Sequence, residues 1–148
     1  MYEISKIIVP VDFGQHTEKL VDFSMFIAKK FSAEILFFHV SESFEGYIGF
    51  DHPSIDEIDK ELRAHSEREM KKLLDKIRPD CQNCSGEVVN GDIVDEIVAC
   101  VEKSGAQMII IGTHGAKGIE KILVGNIAER VVRNAPCPTL LFNPYKNR

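Results

Sequence analysis

The sequence predicts an α/β fold: an open parallel sheet with helices on both faces. Short β-branched apolar segments alternate with longer segments of helical spacing, in the order β-α-β-α-β-α-β-α-β. The chain has 148 residues, the size of one domain, with 44% hydrophobic and 28% charged residues, as in ordinary globular proteins. A domain of this length buries about 70% of its unfolded surface, so it needs neither metal nor disulfide to fold.

The elements follow in order. Ile4–Val11 is short and β-branched, ends at Pro10-Val11-Asp12, and reads as a buried strand. Thr17–Phe31 has helical spacing through Leu20, Ser24, Ile27, Ala28 and Phe31. Glu34–Val40 is a second buried strand. Residues 41–53, with Gly46, Gly49, Pro53 and the aromatics Phe44, Tyr47 and Phe50, read as a loop. Ser54 is placed to cap a long helix from Ile55 to about Arg78, with Ile55, Ile58, Leu62, Met70, Leu73 and Ile77 as its inner stripe. Its acidic start (Asp56, Glu57, Asp59, Glu61) and basic end (Lys71, Lys72, Lys76, Arg78) complement the helix dipole, which explains these charges as a solvated face. A strand near Gly86–Val89 precedes the turn Asn90-Gly91. Asp92 caps a helix that runs to Ser104 and stops at Gly105. Gln107–Ile111 is a strand, Gly125–Asn134 a short helix stopped by Ala135-Pro136, and Thr139–Phe142 the last strand. One α/β domain over residues 1–148 is the expected organisation.

The formal net charge of −5 argues against a nucleic-acid surface or an anionic-membrane surface, each of which needs a basic face. Apolar runs such as Ile35–Phe38 and Met108–Ile111 fall far short of the roughly 20 residues of a membrane helix. The first residues, Met1 to Lys6, lack the pattern of a signal peptide, so a cytoplasmic location with free thiols is expected.

In an open doubly wound sheet, ligands bind where the strands end at their carboxyl termini, beside the topological switch point. Glycines concentrate after the fourth strand, in Gly112-Thr113-His114-Gly115-Ala116-Lys117-Gly118, and Gly125-Asn126-Ile127 then opens a helix. Glycines let a backbone approach a phosphate closely, and the free N–H groups of a helix start attract anions. Lys117, Lys121, Arg130 and Arg133 add local positive charge. Two turns would use the glycines equally well. The series of strand, glycine turn and helix start points instead to a phosphate or nucleotide pocket.

Gly112-x2-Gly115-x9-Gly125 resembles the G-x2-G-x9-G-[S/T] signature of the universal stress protein family. Ile7-Ile8-Val9-Pro10-Val11-Asp12, the strand end His39-Val40, the turn Val89-Asn90-Gly91, the run Val124–Val132 and Ala135-Pro136-Cys137-Pro138 are similar as well, in the right order along the chain. The resemblance implies five parallel strands in the order 3-2-1-4-5, a homodimer paired through the C-terminal strand Thr139–Phe142, and, in one branch, a site for ATP or another adenine nucleotide, with or without Mg²⁺. Carried over by position, Pro10, Asp12 and Val40 would line the adenine and ribose end. Ile111, Gly112, Thr113, His114, Gly115, Lys117 and Gly118 would wrap the ribose and phosphates, with Gly125, Asn126 and Ile127 at the phosphate end. Asn126 stands where Ser or Thr is expected, which removes a hydroxyl and leaves an amide donor.

Other signals weigh less. Cys81-Gln82-Asn83-Cys84 has the spacing of half a zinc site or a redox pair, yet no second pair follows and it falls between a helix and a strand. Surface thiols are the expectation, with a dimer-bridged metal, a redox function or an adventitious disulfide as alternatives. Cys100 and Cys137 are expected to pack as small apolar groups. His16, His39, His52 and His65 show no ligand spacing on one helix face. There is no G-x4-G-K-[ST] and no G-x-S-x-G. No acid, base and nucleophile assemble, so no catalytic or metal-ligating residue is assigned, and at most slow ATP hydrolysis is expected. The function expected is a cytoplasmic stress-response protein that binds a nucleotide as ligand or switch. The alternatives are a dimeric interaction module with an empty pocket and a slow ATPase or phosphotransferase.

Overall fold

The computed structural model describes residues 2–42, 53–114 and 126–146. The expected aromatic loop therefore lies almost wholly outside the described residues. Five strands form one parallel sheet: β1 (Lys6–Pro10), β2 (Glu34–Ser41), β3 (Cys84–Asn90), β4 (Met108–Gly112) and β5 (Thr139–Phe142). Their order is β3-β2-β1-β4-β5, as the resemblance implies. Among the described residues four helices connect them: α1 (Thr17–Phe31), α2 (Pro53–Ile77), α3 (Ile93–Ser104) and α4 (Asn126–Asn134).

Central strands buried on both faces read as continuous apolar runs, and alternate residues serve opposite cores. On one face Ile7, Val9, Ile35, Phe37, Met108 and Ile110 pack with Leu20, Val21 and Ala28 of α1 and Met70 and Ile77 of α2. On the other, Ile8, Phe38, Val40, Ile109 and Ile111 pack with Val94, Ile97 and Val101 of α3 and Ala128 and Val131 of α4. The helices thus divide in pairs between the two faces.

The α2 stripe is buried only in part. Ile55, Met70 and Ile77 are buried, but Ile58 and Leu62 are exposed. The 25 residues of α2 span about 37 Å, whereas the 7 of β3 span about 23 Å, so the helix outruns the sheet it covers. The helix also starts at Pro53, which puts Ser54 inside its first turn and not at the cap. Phe31, placed in the α1 stripe by its spacing, is exposed because the helix ends there and Ser32 turns out in the left-handed region. Asp92 and Gly105 bound α3 as expected: the Asp92 carboxylate accepts from Asp95 N, and Gly105 adopts φ 70°.

The cysteine expectation is corrected. Cys81 and Cys84 are buried, not at the surface, and form a disulfide with Cα atoms 5.7 Å apart. Cys81 N–H donates to Ile77 O at the end of α2, and Cys84 opens β3. That tight corner turns both side chains into the α1–α2 core and brings the two Cα atoms within bridging range. Cys100 is buried and Cys137 half-buried, both as free thiols packed with the opposite core.

Candidate functional site

Chain direction across the sheet reverses between β1 and β4. From β1 the chain moves outward to β2 and β3, then returns to place β4 on the other side of β1. Segments leaving the carboxyl ends of β1 and β4 diverge there and open a crevice of about 250 Å³.

The ends of three strands and one helix start deliver the expected residues to it. Pro10 and Asp12 come from the end of β1, Val40 from β2, and Ile111, Gly112, Thr113 and His114 from the end of β4; Ile127 comes from the first turn of α4. All eight were expected from the sequence, and they converge. Of the remaining expected residues, Gly115, Lys117, Gly118 and Gly125 lie outside the described residues, and Asn126 is placed as the first residue of α4 with its side chain outside them.

The β1–α1 connection is held by local chemistry. Asp12 Oδ1 accepts from Gly14 N at 2.8 Å and from the Thr17 hydroxyl at 3.4 Å. Phe13 adopts φ 59°, a left-handed conformation uncommon for a bulky residue. The His39 ring lies 4.6 Å from the Phe13 ring, and its Nδ1 is 2.7 Å from Val11 O, so β2 braces this turn from beside it. On β4, a Cβ on Gly112 would meet nothing closer than His114 O at 3.6 Å, so this glycine is not forced by space.

Sequence reasoning missed part of the wall. Ile93 and Ile97 of α3, His16 and Thr17 at the start of α1, and Phe142 and Pro144 at the end of β5 also line the crevice. Phe142 and Pro144 follow a strand's carboxyl end, the same rule that located the other segments. His16 carried no ligand spacing within its own helix because its neighbours come from elsewhere in the chain. Its Nε2 lies 2.9 Å from the Tyr145 hydroxyl, and His114 Nδ1 lies 2.8 Å from the Thr113 hydroxyl. Among the described lining residues there is no Lys or Arg, and Asp12 is the carboxylate. Among the described residues, no group of three or more His, Cys, Asp or Glu side chains is placed to hold a metal ion, and no helix is long and apolar enough to cross a membrane.

An open parallel α/β protein with its crevice at the topological switch point is the class that fold and site define. The chain belongs to the universal stress protein family, whose profile matches residues 3–143. It is 32% identical over 142 residues to the universal stress protein MJ0531 of Methanocaldococcus jannaschii, covering 95% of this chain and 83% of that one. Its fold matches that of UspA from Lactobacillus plantarum with a TM-score of 0.80 at 20% identity, covering 96% of this chain and 99% of that one. It also matches a universal stress protein solved in complex with cAMP, with a TM-score of 0.71 at 17% identity, over 95% and 98% of the two chains.

Proposed function

We propose that this chain is a stress-response protein that binds an adenine nucleotide, ATP or another, as a ligand or switch in the crevice between β1 and β4. One observation carries the reading: eight residues picked from the sequence for a nucleotide site line one crevice at the switch point. A relative of the same fold was solved with cAMP, which supports an adenine ligand. Apolar side chains of Val40, Ile93, Ile97 and Ile111 suit a flat base, and Asp12 suits a sugar hydroxyl. By the family resemblance, the phosphates would be wrapped by the segment from Ile111 to Gly118, His114 included, with Gly125, Asn126 and Ile127 at the phosphate end.

The reading extends to a homodimer through Thr139–Phe142. The β5 strand lies at the sheet edge with Leu141 exposed, and such an edge invites pairing. Turnover is slow in this reading. Phosphoryl transfer needs clamped charge and an oriented nucleophile. His114 is the candidate to orient water, and its Nδ1 is engaged with Thr113. Asn126, in place of a hydroxyl residue, favours the second reading, an interaction module whose pocket stays empty.

Mass spectrometry of ligand released from undialysed protein, followed by calorimetry with that nucleotide, tests the reading. Binding is expected, and Gly115→Val should abolish it. No affinity for any adenine nucleotide, with or without Mg²⁺, selects the empty module.

A further inference from the structure

We propose that His16, Tyr145 and His114 form an anion-recognition row at the crevice mouth, with the imidazoles as binding residues and Tyr145 as the residue that positions them. The inference rests on the nucleotide reading above and adds to it how the ligand's charge is met.

Three groups reach one place from three parts of the chain. His16 precedes α1, His114 follows β4, and Tyr145 follows β5, beyond the family match at residue 143. Tyr145 makes a T-shaped contact with each imidazole, with ring centroids 4.7 Å apart in both pairs. Its hydroxyl engages His16 Nε2, while the Thr113 hydroxyl engages His114 Nδ1. Each imidazole therefore keeps one ring nitrogen, His16 Nδ1 and His114 Nε2, with no hydrogen bond among the described residues. The Tyr145 backbone is itself fixed. Its N–H donates to Asn143 Oδ1, Pro144 is fully buried, and Lys19 Nζ donates to Pro144 O.

Charge decides what this row can do. The described lining residues offer an anion no fixed cation and one carboxylate, Asp12. Among them, positive charge can come only from imidazoles, and His39 is already occupied by Val11 O and Phe13. Histidine gains its proton between about pH 5 and pH 8, and charge-assisted hydrogen bonds to phosphate are strong. A bound anion favours the protonated imidazoles, so the affinity it adds is fully present at low pH and lost as pH rises through the bound-state titration. Among the described residues, Asp12 lines the crevice, Lys19 donates to Pro144 O, and Asp92, next to the lining residue Ile93, pairs with Arg130 at 3.7 Å.

The test uses cAMP, a phosphodiester whose single charge is constant across this range, and adenosine, which lacks the anion. Calorimetry at about pH 5.5 and about pH 8 should show cAMP affinity falling on the order of tenfold while adenosine affinity holds. His16→Gln and Tyr145→Ala should each cut the cAMP change to about threefold, and should weaken adenosine, which lacks the anion, less than cAMP. A cAMP affinity independent of pH, or an undiminished slope in His16→Gln, overturns the proposal. Equal loss of both ligands in Tyr145→Ala makes that residue a mere wall and overturns its positioning role. If wild-type protein binds neither ligand at either pH, the nucleotide reading itself fails.

Discussion

Replacing Asp92 by Ala should cost about 1–1.5 kcal/mol, nearly all of it from the cap of α3. Asp92 has extended backbone, φ −79° and ψ 130°, and its Oδ2 accepts from Asp95 N at 3.0 Å. Truncating such a cap costs about 1 kcal/mol, and its charge at the positive helix end adds a few tenths more. Oδ2 also lies 3.7 Å from Arg130 Nη2, but both side chains are about half exposed, at 49% and 54%. Solvent screening leaves that pair roughly 0–0.5 kcal/mol. The melting temperature, followed by circular dichroism, should fall by about 2–6 °C in Asp92→Ala. Asp92→Asn keeps the acceptor and should fall by no more than about 1 °C. Arg130→Ala should be nearly neutral. If Arg130→Ala or Asp92→Asn matches the loss in Asp92→Ala, the cap argument is wrong and the ion pair carries the stability.

Burial, with a smaller push from the Glu87 carboxylate, raises the Cys100 thiol from the usual 9.0 to about 11. The unfolded chain therefore ionises first, so stability should drop as pH rises from about 9 to about 11. Comparing melting curves at pH 8 and pH 10 should show a larger drop in wild type than in Cys100→Ala. Reducing the Cys81–Cys84 disulfide should cost about 2 kcal/mol at most, because the loop it closes is so short; urea titration with and without dithiothreitol measures this. Under the proposed homodimer, Leu141→Asp on the exposed edge strand should sediment as a 16.7 kDa monomer where wild type does not.

The strands and most helix limits were legible because both faces of the sheet are covered. A run such as Ile109-Ile110-Ile111 has little choice but a doubly buried strand. Asp92 and Gly105 marked α3 because cap chemistry is local. The crevice was legible wherever a strand's carboxyl end could be found. Three features were not. The disulfide depends on the sharpness of the α2–β3 corner, which C-x2-C spacing alone does not reveal. The exposure of Ile58 and Leu62 depends on how far α2 outruns the sheet. The His16–Tyr145 contact joins residues 129 apart, and no local pattern signals it.

The crevice joins parts of the chain that are synthesised far apart. β1 supplies its floor within the first dozen residues, yet the neighbouring strand β4 ends only at Gly112, and Phe142 and Pro144 arrive at the far end. β1 pairs on one side with β2, nearby in sequence, but on the crevice side it pairs with β4, whose Met108 and Ile109 lie far along the chain. A ligand that needs both sides therefore requires both segments in place at once. It adds stability to the completed sheet by mass action and none to a truncated chain.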